Sequence, residues 1–164
     1  MAAKTWLILT LILVFLGAGV FYFWRHYYQP SKNNKNIAPI RQIILEGVAF
    51  EVETAATAEE RAKGLSGRTS LCEQCGMVFI FPQKGYHAFW MKNTLIPLDI
   101  IWFNEKWQVV DYLAWAQPQG TRETKELPVY RPKERAKFVL EISAGSTKRI
   151  ENFDIGSQAQ VIKN

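Results

Sequence analysis

Residues 6–24, WLILTLILVFLGAGVFYFW, run for nineteen positions without a charged side chain. A helix of that length is roughly 28 Å long, close to the hydrocarbon thickness of a bilayer. No face of it is polar enough to lie on the surface of a globular domain. Trp6 at one end, and Phe21, Tyr22, Phe23, Trp24, Tyr27 and Tyr28 at the other, resemble the aromatic belts of membrane interfaces. The segment predicts a single transmembrane anchor behind a short tail, residues 1–5. A cleaved signal is the competing reading, with Gly17, Ala18 and Gly19 as its small-residue site. The aromatic stretch that follows favours continued insertion.

The flanking charges pull the topology two ways. Lys4 precedes the span, whereas Arg25, Lys32 and Lys35 follow it, and the positive-inside rule would keep the C-terminal part in the cytoplasm. A short tail before one apolar segment is also the layout of an exported, anchored domain, and the expectation is an extracytoplasmic one. Residues 25–39 hold the polar, Asn-rich stretch QPSKNNKNIAP, which reads as a juxtamembrane linker. One domain is left, at residues 40–164.

That domain breaks into short apolar runs separated by turns. RQIILEG and VAFEVET make a hairpin about Gly47, with Phe50 and Val52 alternating against Glu51 and Glu53. TAEERAKGL is a helix, capped by Thr57 with Glu60 three residues on and ended by Gly64. MVFIF, YHAFWM, LDIIWFN, WQVVDYLAW, KFVLEIS and QAQVI are strand-like, with a turn at Asn104, Glu105 and Lys106. A further helical turn is expected over residues 147–153. With 48% hydrophobic and 21% charged residues the chain is globular rather than disordered. The pattern predicts a mainly β fold, a single small sandwich or partly open barrel with one or two short helices. The helical segments are too few and short for a βαβ parallel sheet.

The net charge of +5 is scattered among acids, and no dense basic stripe is present, so nucleic acid is not an expected partner. The only cysteines are Cys72 and Cys75. No βαβ pattern surrounds them to make a thioredoxin-like redox pair. A zinc site would need further ligands, with His87 and an aspartate the nearest supply. A disulfide is the natural outcome for an exported domain. No metal and no cofactor are expected.

The stretch FWMKNTLIPLDIIWF, residues 89–103, sinks one acid, Asp99, among Leu, Ile, Trp and Phe. An unpaired ionised carboxylate there would cost several kcal/mol, so something must meet it. Backbone N–H groups of a neighbouring loop could do so, as could Arg68 or Lys92. Alternatively Asp99 is a site group, presented with Trp90, Lys92 and Asn93 in an apolar wall, as small-molecule pockets are built. Asp99 and Asp111 could also serve acid–base chemistry as a pair. No nucleophile elbow and no phosphate-binding glycine loop is present.

ERAKGLSGR (60–68), GMVFIFP (76–82), FWMKNTLIPLDIIWF (89–103), VLEISAG (139–145) and IGSQAQV (155–161) together resemble the DUF192 family, also called UPF0127. The resemblance covers about residues 41–162. It implies a small single β domain, often exported or anchored behind an N-terminal apolar segment, with no assigned biochemical activity. Ser66 stands where members commonly carry methionine, and the CEQC pair is not part of the pattern. The expected function is a binding or accessory module at the membrane surface, anchored in the bilayer through residues 6–24. Its candidate site is Arg68, Trp90, Lys92, Asn93 and Asp99, and its partner a small molecule or protein. The alternatives are an enzyme using Asp99 as acid or base, or a redox or metal module on Cys72 and Cys75.

Overall fold

The structure, a computed structural model, describes residues 38–119 and 127–163. The expected tail, the apolar segment and the linker up to residue 37 lie outside the described residues. Among the described residues no helix is long and apolar enough to cross a membrane.

The hairpin about Gly47 joins β1 (Ile40–Leu45) to β2 (Val48–Ala55). Its two turn residues, Glu46 and Gly47, have φ of 45° and 84°, the left-handed turn whose twist matches that of paired strands. Thr57 then caps α1 (Ala58–Lys63): its side chain accepts from the Glu60 N–H, and the Glu60 carboxylate accepts from the Thr57 N–H. This reciprocal cap satisfies donors that a six-residue helix would otherwise leave exposed. Next come β3 (Cys75–Gly85), β4 (Leu98–Phe103), β5 (Val109–Ala116), β6 (Ala136–Ser143), α2 (Ser146–Arg149) and β7 (Ala159–Lys163).

The seven strands make one mixed sheet in the order β5-β4-β6-β3-β2-β1-β7. It is a single open sheet rather than the two layers of a sandwich. Its two edges meet where Gln108 pairs with Gln158, next to the hydrogen bonds from Val109 N–H to Ser157 O and from Gly156 N–H to Val109 O, both 2.9 Å. β2 and β3 pair in parallel, with α1 in the connection between them. That is the one parallel pair among the strands, and the sequence pattern did not suggest it.

Side chains alternate between two cores. Ile43, Leu45, Phe50, Val78, Ile80, Ile101, Phe103, Leu140 and Ile142 share one face. Met77, Phe79, Leu98, Ile100, Trp102 and Val139 share the other. The central strands are therefore apolar on both sides, and every residue of β4 is buried. Burying a large apolar side chain such as Phe79 or Phe103 contributes on the order of 2–3 kcal/mol.

The strand expected over YHAFWM does not form. Phe89 and Met91 are buried and Trp90 is exposed, the alternation of a strand, but the backbone is paired only where Phe89 meets Tyr130. The place beside β3 and β4 is already taken by β6, which pairs with both. Residues 86–97 instead cross over the second core as a cover.

Candidate functional site

The cover is fixed from below and from the side. The Phe89 ring stands edge-on to Phe79 at 4.9 Å and to Trp102 at 6.0 Å, and Phe89 and Tyr130 exchange two backbone hydrogen bonds of 2.8 Å. The loop after α1 holds the far end. Ser66 Oγ donates to the Lys92 carbonyl at 2.9 Å, and Gly67 N–H donates to the Asn93 carbonyl at 2.8 Å. With Phe89 and Met91 pointing down, Trp90 and Lys92 point outward. The Lys92 ammonium lies 5.8 Å from the centre of the Trp90 ring.

Arg61, on α1, forms the opposite wall. Its guanidinium donates to the Ala56 and Ile80 carbonyls and lies over the Phe81 ring at 5.1 Å. Burial holds its pKa below the usual arginine value, against the pull of Glu59 and Glu60. Glu60 titrates lower than an ordinary glutamate because the Thr57 and Ala56 N–H groups donate to its carboxylate. His87 stacks flat on Phe81 at 3.6 Å, and burial depresses its pKa, so the ring is held neutral.

Between these walls lies a pocket of about 240 Å³. Phe79, Phe81, Phe89 and Trp90 supply its apolar surface, and Arg61, Lys63, Ser66, Lys92 and Thr94 its polar groups. Among the described residues its one acid is Glu141. Glu141 stands on β6 between Met77 of β3 and Ile100 of β4, and only 5% of it is exposed. Among the described residues its carboxyl has no hydrogen-bond or ion-pair partner, and its oxygens open onto the pocket rather than being sealed in the core. Burial alone pushes its pKa up to about 8, so at neutral pH it is a carboxylic acid, able both to donate and to accept.

Sequence reasoning missed Glu141. The signal was present in KFVLEIS, where a glutamate stands in a strand between Leu140 and Ile142, as Asp99 stands between Leu98 and Ile100.

Asp99 lies on the other face of the sheet. It is fully buried and accepts from Trp115 N–H at 2.9 Å, Gly145 N–H at 3.1 Å, Thr147 N–H at 2.9 Å and Thr147 Oγ1 at 2.8 Å. These three backbone N–H groups and the Thr147 hydroxyl, rather than Arg68 or Lys92, meet the carboxylate, and they pin α2 and the end of β5 to β4. The structure thus brings Trp90 and Lys92 together at the pocket and leaves Asp99 apart from them. Asn93 sits at the edge of the cover in a left-handed turn, φ 55°. Arg68 pairs with Glu53 at 2.6 Å, outside the pocket. Asp111 stands opposite Trp102 and accepts from Tyr112 N–H and Lys133 N–H, so it does not converge with Asp99. Cys72 and Cys75 are joined as a disulfide, which leaves no thiolate there for a metal. Among the described residues no group of three His, Cys, Asp or Glu side chains is placed to hold a metal ion.

Residues 41–160 match the family model DUF192, described as "Uncharacterized ACR, COG1430". The chain belongs to the DUF192 family. None of the curated proteins matches it. Among solved structures, a protein of unknown function from Novosphingobium aromaticivorans DSM 12444 is 28% identical with a TM-score of 0.66, over 80% of this chain and 99% of that one. A protein from Sinorhizobium meliloti 1021, described as a candidate transcription regulator, is 27% identical with a TM-score of 0.64, over 76% of this chain and 92% of that one. The DUF192 domain thus includes both walls of the pocket and Glu141 at its floor.

Proposed function

We propose that this DUF192 protein is a small-molecule-binding module held at a membrane surface. One observation carries the reading: the Glu141 carboxyl, which no protein group meets among the described residues, opens onto the floor of an aromatic-walled pocket. The residue is almost wholly buried, yet its carboxyl is not sealed in the core. A ligand oxygen that enters the pocket can therefore take up its free donor and acceptor. The test is a fragment screen by ligand-observed NMR on the full chain in detergent, run beside Glu141→Leu. The expected result is a set of fragments that bind the wild type and are lost in the variant. Fragments bound equally by both would overturn the proposal.

The anchor is residues 6–24, and the domain lies on the extracytoplasmic side. The apolar length of the segment and its aromatic ends support the first statement. The Cys72–Cys75 disulfide supports the second, because such bonds persist in oxidising compartments. Deleting residues 1–24 should release the protein from the carbonate-washed membrane fraction. Both cysteines should resist alkylation in unreduced cells. Retention of the truncated chain, or ready alkylation, would count against this topology.

The enzyme reading moves to a different carboxylate. Both Asp99 oxygens are filled by donors that build the fold, whereas Glu141 faces the pocket and exchanges its proton near pH 8, a useful range for acid–base work. Turnover governed by an ionisation near that pH and abolished in Glu141→Gln would favour it. The regulator description belongs to the Sinorhizobium protein; in this chain the scattered charge pattern, with Arg68, Lys84 and Arg149 each paired with a glutamate, lends nucleic-acid binding no specific observation.

A further inference from the structure

Resting on the pocket reading above, we infer that the ligand is a small organic monoanion, a carboxylate with a carbonyl or hydroxyl oxygen at its far end. Its anionic head lies against Lys63 and Lys92, its body lies between the aromatic walls, and its far oxygen accepts a hydrogen bond from Glu141.

The argument starts from charge. Arg61 and Lys63 face the pocket from α1 and its end, and Lys92 faces it from the cover. Among the described residues none of the three forms an ion pair. The strands that flank Glu141 contribute only apolar side chains beside it, Met77 and Ile100. Glu59 and Glu60 offset part of the Arg61 charge, but Lys63 and Lys92 remain beside a pocket whose one acid among the described residues is protonated at neutral pH, a field that attracts an anion and repels a cation. The aromatic faces add to the discrimination. A ligand cation would seek the ring faces, but Phe81 already carries Arg61 and Trp90 already carries Lys92.

The floor sets the other end. A carboxylic acid flanked by Met77 and Ile100 and open to the pocket offers one strong donor, and a carbonyl or hydroxyl oxygen receives it without placing a second charge at the floor. The volume sets the size. About 240 Å³ equals the liquid volume of about eight waters, below the usual range for drug-sized ligands.

The test is calorimetric titration of the full chain in detergent with two probes of equal length. They are 4-oxopentanoate and the trimethyl(3-oxobutyl)ammonium cation, neither of which titrates in the range used. Measurements are made about 1.5 pH units below and above 8. The anion should bind at the lower pH and weaken about thirtyfold at the higher one, as Glu141 loses the proton it donates. In Glu141→Gln, whose amide still donates, binding should persist and the pH dependence should vanish. Lys92→Ala should weaken binding severalfold at both pH values and keep their ratio. Cation binding that tightens as pH rises and depends on Glu141 would overturn the ligand class while leaving the pocket reading in place. Failure of both probes would overturn the class as well, and fragments from the screen that nonetheless require Glu141 would show that the pocket reading survives.

Discussion

Replacing Glu141 by Gln tests the central physical claim without any ligand. Burial raises the folded-state pKa of this carboxyl from 4.5 to about 8. At roughly 1.4 kcal/mol per pH unit, that displacement corresponds to about 5 kcal/mol. The direction follows from linkage. In the unfolded chain Glu141 ionises near 4.5, whereas in the fold it keeps its proton up to about 8. Its contribution is therefore fully present below pH 4.5, falls steadily between the two values and is exhausted above the higher one. Glu60 and His87 also have shifted pKa values, but both are lowered. Stability linked to them is lost towards acid, the opposite direction. Subtracting the variant from the wild type cancels them. The assay is urea unfolding of residues 37–164 between about pH 4.5 and 8.5, wild type beside Glu141→Gln. Relative to the variant, the wild type should lose about 4 kcal/mol across that range. The buried amide adds a constant offset that does not alter the slope. Parallel pH profiles would refute the reasoning, because they would mean that Glu141 is hydrated or paired in the fold.

Four other substitutions or treatments probe the frame around the pocket. Asp99→Asn places an amide N–H₂ against three N–H groups and a hydroxyl that now donate four hydrogen bonds to one carboxylate. It should cost about 3 kcal/mol or more in chemical denaturation. Gly76→Ala would put a methyl 2.6 Å from the Glu141 carbonyl oxygen. Strand β3 must then move from β6, and the expected loss is about 1–3 kcal/mol, read as a lowered unfolding midpoint. Thr57→Ala removes one half of the cap on α1 and should cost about 1 kcal/mol. It should also loosen the wall that carries Arg61, seen as faster amide exchange over residues 58–65. Reducing the Cys72–Cys75 bond, which closes a loop of sequence separation 3, should lower stability by about 2 kcal/mol or less. Thermal melts with and without reductant would show it.

Much of the frame was legible because local chemistry wrote it. The β1–β2 hairpin, the Thr57 cap, the turn at Asn104 and most of the strands rest on neighbours in sequence, so period and turn residues reveal them. The order of the strands was not legible, since the placement of β6 between β3 and β4 is decided by packing across the chain. That same placement denied residues 86–97 a strand partner, which is why a correct alternation pattern gave an incorrect element. Within the candidate site, Trp90 and Lys92 were found because they flank an unusual apolar motif. Asp99 stood out in that motif for a sound reason, a buried charge that needs partners, but the sequence held no sign of which face it occupies. Asp99 and Glu141 lie on adjacent strands, where Asp99 pairs with Ile142 and Ile100 with Glu141. A step of one residue sends them to opposite faces, one carboxylate fully met by the fold and the other carboxyl left open to a pocket.

The strand order also dictates when the domain can form. β6 is hydrogen-bonded to both β3 and β4, and β7 pairs with β1 through contacts such as Ile43 with Val161. Neither half of the sheet can close until the last strands have arrived, and contacts so distant along the chain form slowly. A polypeptide emerging from its N-terminal end could form the β1–β2 hairpin and the capped helix early, but its complete sheet must await β6 and β7. On the extracytoplasmic topology proposed above, such lateness would be useful: the chain would stay threadable during passage and lock only when the passage is complete.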